Sequence, residues 1–112
     1  MKPTKRFDLL ILGGGIAGMT AAIFAARANL NTAIIEETLC GGLANWTNTV
    51  ENFPSQISIN GMELMERVSK QVENLGVAVD QAAIVERIDL AGRVKTVETW
   101  EAIYEGKAII LA

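Results

Sequence analysis

An α/β fold built on a parallel sheet is predicted for this chain by three observations. Phe7 to Leu12 is a near-continuous apolar run, the mark of a strand buried on both faces. It enters the turn Gly13-Gly14-Gly15-Ile16-Ala17-Gly18, and a helix of small residues follows at once. A second apolar run, Thr32 to Glu36, then completes a strand–helix–strand order with the glycine turn at its first junction. The expectation is a Rossmann-like fold in one domain over residues 1–112, since a chain of 112 residues is a single domain at most.

The elements follow in order. Met1 to Arg6 is a polar lead-in, expected to fray. The helix after the glycines spans about Ile16 to Ala28, with Ile16, Met19 and Ile23 at helical spacing and alanines that allow close approach to a sheet. Asn29-Leu30-Asn31 ends it. Leu39 to Ser55 has no clean period and reads as an ordered binding loop anchored by Trp46, Val50 and Phe53. Asn60 is placed to cap a second helix, with Glu63 in position to reach back and Gly76 to stop it. Met62, Met65, Val68, Val72 and Leu75 form its buried stripe, and Glu63–Arg67 and Glu66–Lys70 are pairs on its outer face. Val77 to Val79 is a short strand. Ala83 to Leu90, Val94 to Thr99 and Ala102 to Tyr104 read as a three-stranded antiparallel β-meander, turning first at Ala91-Gly92. Lys107 to Ala112 is a further buried-strand pattern that wants a neighbour on each edge.

Composition narrows the chemistry. Half of the residues are apolar and 21% are charged, a globular balance that argues against disorder. A net charge of −3 offers no basic field for nucleic acid or an anionic membrane. With no histidine and one cysteine, Cys40, the usual zinc sites, a cysteine–histidine nucleophile and an internal disulfide are excluded. A lone free thiol fits a reducing, cytoplasmic setting. Leu9 to Ala26 is uncharged and follows Lys2, Lys5 and Arg6, as in a signal peptide or a short span. Asp8 at its entrance and Gly13-Gly14-Gly15 within it would break a spanning helix, so no membrane segment is expected.

The glycines carry the functional signal. Glycine at Gly13 allows the tight turn, at Gly15 it lets a pyrophosphate approach the backbone, and at Gly18 it lets the helix pack against the strand. Free N–H groups at the helix start then favour phosphate oxygens. Glu36 ends the second strand eighteen positions after Gly18, where a carboxylate can accept from both hydroxyls of an adenosine ribose and would repel a 2′-phosphate. The alternative for Glu36 and Glu37 is a solvated pair at a strand end. No side chain is placed as a general acid or base. Glu51 is the nearest candidate and reads as structural.

With these residues in view, the chain resembles the N-terminal part of the low-molecular-weight thioredoxin reductases, in the pyridine nucleotide-disulfide oxidoreductase superfamily of two-dinucleotide-binding-domain flavoproteins. The likeness rests on Gly13-x-Gly15-x-x-Gly18 with Glu36, on Gly41-Gly42 followed by Val50-Glu51-Asn52-Phe53-Pro54, and on Ala108-Ile109-Ile110-Leu111-Ala112. The last resembles the start of the superfamily's strand and Ala-Thr-Gly segment. The resemblance implies FAD as the cofactor, with its pyrophosphate over Gly13 to Gly18, including the backbone of Ile16 and Ala17, and its adenosine ribose on Glu36 beside Glu37. It implies adenine near the backbone of Val85, and Gly42, Leu43 and Asn52 along the ribitol and flavin, with Ala112 also at the site. Where the family usually has glutamine after the double glycine, this chain has Leu43.

By the same resemblance, residues 1–112 are the N-terminal portion of an FAD domain. The family's Cys-x-x-Cys dithiol, its NADPH domain and the late segment completing the FAD domain do not occur in this sequence. The implied function is to hold and orient flavin for electron transfer in a disulfide oxidoreductase, without being catalytically complete alone. Alternatives are a stand-alone module for FAD or an adenine nucleotide, or a half-protein that pairs with a complementary chain or with itself. Cys40, beside Gly41, reads as a packed, idle thiol.

Overall fold

A computed structural model describes all residues, 1–112. Strand β1 (Thr4–Leu12) leads into helix α1 (Ile16–Arg27) and strand β2 (Thr32–Ile35). A 3₁₀ turn (Gly42–Trp46) precedes helix α2 (Gly61–Asn74), and strands β3 (Ala78–Asp80), β4 (Val85–Asp89), β5 (Lys95–Thr99) and β6 (Ile103–Leu111) complete the chain. All six strands form one sheet in the order β3-β2-β1-β6-β5-β4. The β3, β2, β1 and β6 neighbours are parallel, whereas β6–β5 and β5–β4 are antiparallel. The α/β class and the parallel sheet at its centre are as the sequence predicts.

Alternation along β1 divides the core. Leu9 and Ile11 face α1 and α2, packing with Ile34, Met19, Ala22, Leu64, Met65, Val68 and Val72. Leu10 belongs to a second cluster with Ala33, Ile35, Val97, Ala102 and Tyr104. Gly106 is required there because a Cβ would come within 2.7 Å of Leu10 Cγ.

Several boundaries differ from expectation. The third meander strand and the terminal strand are one element, β6, because Thr4 to Leu12 pairs with Ile103 to Leu111 along nearly the whole length. Lys107, a charged residue in mid-strand, is accommodated at the surface by an ion pair to Asp8 at 3.3 Å. The lead-in is not frayed: Thr4 to Arg6 lie in β1, and Lys2 bridges Glu86 on β4 and Glu98 on β5 at 2.6 and 2.8 Å. The buried face of α1 is Gly18, Met19, Ala22 and Ala25, with Met19 packed in the cluster shared with α2, and Ile16 is exposed.

Helix α2 begins as its sequence indicates. Asn60 Oδ1 accepts from the N–H groups of Met62 and Glu63, at 3.0 and 3.2 Å. Glu63 does not reach back to complete a capping box, since its carboxylate pairs with Arg67 at 2.8 Å. Met62 is half exposed, and the stripe is carried by Leu64, Met65, Val68 and Val72. Gly61 seats the long loop on this helix. Its N–H donates to the Thr47 carbonyl at 2.9 Å, and a Cβ there would lie 2.6 Å from that oxygen and overlap the Ala44 carbonyl. The loop is also pinned by an antiparallel bridge between Val50 and Ile59. Val50 and Phe53 pack on the core as anchors, but Trp46 is exposed and anchors nothing.

Gly61→Ala should therefore cost about 1–3 kcal/mol of stability through overpacking against carbonyls that cannot retreat. Urea denaturation of the two proteins measures it, and an unchanged midpoint would count against this close approach.

Candidate functional site

The glycine turn sits at the C-terminal ends of β1, β2 and β6, the edge of a parallel sheet where α/β proteins place ligands. The surroundings of each glycine differ. Gly13 has φ of +115°, and a Cβ there would come 2.5 Å from the Ala112 carbonyl oxygen. Gly18 admits no side chain, since a Cβ would overlap the Gly13 carbonyl and press on Ile11 Cγ2 at 3.3 Å. Gly15 has nothing within 4 Å of its Cβ position, so this side of the turn is open to a ligand. The fingerprint leaves Gly14 free to vary, yet Cys40 Sγ would lie 2.6 Å from a Cβ there.

Helix α1 has no side-chain cap and no acidic residue in its first turn. Its first hydrogen bond runs from Met19 N–H to the Gly15 carbonyl at 3.0 Å, leaving the amides of Ile16, Ala17 and Gly18 ahead of the helical ladder. These three donors and the positive end of the helix dipole lie beside the open face of Gly15, an arrangement that would favour negative charge.

Next to the turn lies a cleft of about 360 Å³ lined by Leu12, Gly13, Ile35, Glu36, Glu37, Val85, Ile88 and Ala112. Five of the predicted residues, Gly13, Glu36, Glu37, Val85 and Ala112, therefore meet in one place. Leu12, Ile35 and Ile88 supply the apolar walls. Ile88 lies on the outer strand of the meander, so nothing local in the sequence announces it.

The remaining predicted residues fall elsewhere around the same turn. Gly42 stands 3.7 Å from Gly15 Cα, measured from its Cβ position, and with Leu43 it lines a separate depression beside Leu39, Asn45 and Trp46. Asn52 and Ile16 line a third, with Val50, Phe53, Leu64 and Met65. The glycine turn is the hub, but Asn52 does not share a cleft with Glu36. Leu43 is highly exposed, at 87%, so its side chain makes no protein packing that would explain an apolar residue there.

Glu36 is tied down on both oxygens. Oε1 accepts from Gly14 N–H at 2.8 Å, and Oε2 accepts from the N–H and the hydroxyl of Thr38 at 2.8 and 3.0 Å. Partial burial alone would push its carboxyl up, but the bonds from Thr38 and Gly14 outweigh this and hold it below the ordinary glutamate value. Cys40 behaves oppositely. Burial, with the Glu36 and Glu73 carboxylates nearby, pushes its thiol up to about 11. Its thiolate fraction at neutral pH is negligible. No group of three or more Cys, Asp or Glu side chains is placed to hold a metal ion, and no helix is long and apolar enough to cross a membrane.

Two outcomes follow for solution measurements. A carboxylate with a lowered folded value adds stability that is complete above its ordinary value of 4.5 and is lost as pH falls through the lowered value. Glu36→Gln should thus flatten the acid side of the melting-temperature profile while changing its shape little above neutrality. For Cys40, alkylation by iodoacetamide at neutral pH should run about a hundredfold slower than for an ordinary cysteine, following the thiolate fraction; a rate at or above that of a free thiol would contradict the burial.

Known proteins share this sequence and fold. The model of the pyridine nucleotide-disulphide oxidoreductase family matches residues 7–112. A 34.2 kDa protein in the rubredoxin operon of Clostridium pasteurianum is 45% identical over all 112 residues, which cover 36% of its length. Thioredoxin reductase from Bacillus subtilis is 38% identical over all 112 residues, 35% of its length. The crystal structure of thioredoxin reductase from Streptococcus pyogenes superimposes with a TM-score of 0.89 at 42% identity, covering 95% of this chain and 34% of that one. The chain thus spans about a third of the length of the relatives it matches. By the family match over nearly its whole length, the chain belongs to the pyridine nucleotide-disulphide oxidoreductase family.

Proposed function

We propose that residues 1–112 are the FAD-binding module of a thioredoxin-reductase-like flavoprotein disulfide oxidoreductase, holding and orienting flavin and not catalytically complete alone. The observation that carries this reading is the convergence of Gly13, Glu36, Glu37, Val85 and Ala112 on one cleft beside the free amides of α1. Two features fit a dinucleotide: the open side of Gly15, which would admit a pyrophosphate, and the Glu36 carboxylate, whose Oε1 has room to accept from a ribose hydroxyl beside its bond from Gly14. In this reading the amides of Gly15, Ile16, Ala17 and Gly18 bind the pyrophosphate, Glu36 and Glu37 face the adenosine ribose, and the Val85 backbone and Ala112 border the adenine. Gly42, Leu43 and Asn52 lie toward the flavin end. Bound FAD would supply the electron-carrying chemistry, and the protein contributes binding and orientation. Glu36 disfavours a 2′-phosphate, so NADP-type ligands are poor competitors.

A second reading rests on the sheet. Pairing of β5 with β6 stops at Gly106, so Lys107 to Leu111 are paired on the β1 side only, and Ile110 and Leu111 are exposed. An apolar strand with one unpaired edge suits a half-protein that completes its sheet with a complementary chain or a second copy. Light scattering separates the two: a monomer that binds flavin supports the module, whereas a dimer that binds only when paired supports the half-protein.

Titration of FAD into the purified chain should perturb the flavin absorbance bands and quench flavin fluorescence, with ADP competing and riboflavin binding more weakly. A colourless protein that binds ADP or NAD but refuses FAD would sink the flavin reading while leaving the nucleotide cleft intact.

A further inference from the structure

The Glu36 carboxylate is not a free acceptor at the end of β2. Of its roughly four lone-pair directions, three are taken by protein donors: Gly14 N–H on one oxygen, and Thr38 N–H and Oγ1–H on the other. The donors come from two segments that have their own supports. Gly14 is held by its carbonyl, which accepts from Gly41 N–H at 2.8 Å. Thr38 is held by its carbonyl, which accepts from Ala82 N–H at 2.9 Å, while Ala83 N–H donates to the Glu36 carbonyl at 3.0 Å. A flexible side chain with several rotamers is thus fixed on both oxygens, and Thr38 supplies two of the three bonds from an exposed position where no packing demands a threonine.

We infer that Thr38 is a positioning residue for nucleotide recognition: by clamping one Glu36 oxygen with both its amide and its hydroxyl, it leaves the carboxylate a restricted set of acceptor directions and so sets how sharply the cleft tells a ribose from a deoxyribose. This rests on the proposed role of Glu36 toward the adenosine ribose. A carboxylate free to turn could satisfy whichever hydroxyl remained when one is removed. A clamped one cannot follow, and the missing hydroxyl leaves it under-bonded.

The test compares ADP, 2′-deoxy-ADP and 3′-deoxy-ADP binding by calorimetry to the intact chain and to Thr38→Val, Thr38→Ser and Glu36→Gln. The intact chain should prefer ADP over at least one deoxy analogue. Thr38→Val should shrink that preference by about three- to tenfold, the effect of roughly one hydrogen bond, and Thr38→Ser should restore it. In the Glu36→Gln background, Thr38→Val should add little, because the two act as one unit. Full discrimination retained by Thr38→Val, or effects that simply add, would overturn this inference alone. A chain that binds ADP without sensing either hydroxyl, or binds no nucleotide, would instead overturn the role given to Glu36. The clamp has a readout of its own in either case: the Glu36 carboxyl carbon, followed by NMR on acid titration, should titrate higher in Thr38→Val than in the intact chain. The neighbouring Cys40 stays protonated across that range and does not confuse the signal. An unmoved titration would show that the Thr38 hydroxyl does not hold Glu36 and would overturn the inference.

Discussion

The approach of α1 to β1 at Gly18 and Gly13 is the constraint on which the rest of the molecule depends. The Gly13 carbonyl occupies the space where any side chain at Gly18 would begin, so helix and strand meet backbone to backbone. That contact limits the inner face of α1 to Gly18, Met19, Ala22 and Ala25 and aims its uncapped N-terminus at the edge of the sheet. A side chain at Gly18 would lift the helix away, and the three amides ahead of the ladder would no longer lie beside Gly15. Helix packing and the direction of these amides are one requirement at this position, which is why a residue with no side chain matters there.

A second set of contacts stabilises the turn from behind. Cys40 lies against Gly14, its amide donates to Gln81 Oε1 at 2.7 Å, and its carbonyl accepts from Asn45 Nδ2 at 2.8 Å. The thiol is used for its size and its apolar character, consistent with a pKa raised by burial. The segment from Thr38 to Gly42 thereby forms a strap across the glycine turn. It links the end of β2, the loop before β4 and the start of the 3₁₀ turn, so residues far apart in sequence share one rigid support.

Much of this was legible in the sequence, and the division between what was and was not has a physical cause. Strand, glycine turn and helix follow from local periodicity and from the unusual backbone that Gly13 requires, so β1, α1, β2 and the role of Gly18 could be read directly. Asn60 announced α2 because capping is a local interaction. The failures lie where the deciding partner is distant. Ala102–Tyr104 and Lys107–Ala112 read as two strands with Glu105-Gly106 between them; pairing with β1 makes them one. Trp46 looked like an anchor because it is large and aromatic, and only the packed loop shows it facing solvent. In the cleft, Glu36 was visible from its spacing to the glycines, whereas Thr38 and Ile88 depend on rotamers and on strand register that no spacing encodes.

The pairing of β1 with β6 carries a consequence for how the molecule comes into being. Thr4 sits beside Ile103 and Leu12 beside Leu111, so the central pair of the sheet joins residues 99 apart in the chain. Such long-range parallel pairing is slow to form, because a large loop must close before any contact rewards it. The glycine turn rests against Ala112. During synthesis the glycine turn, made about a hundred residues before Ala112, has no wall on that side until Ala112 arrives.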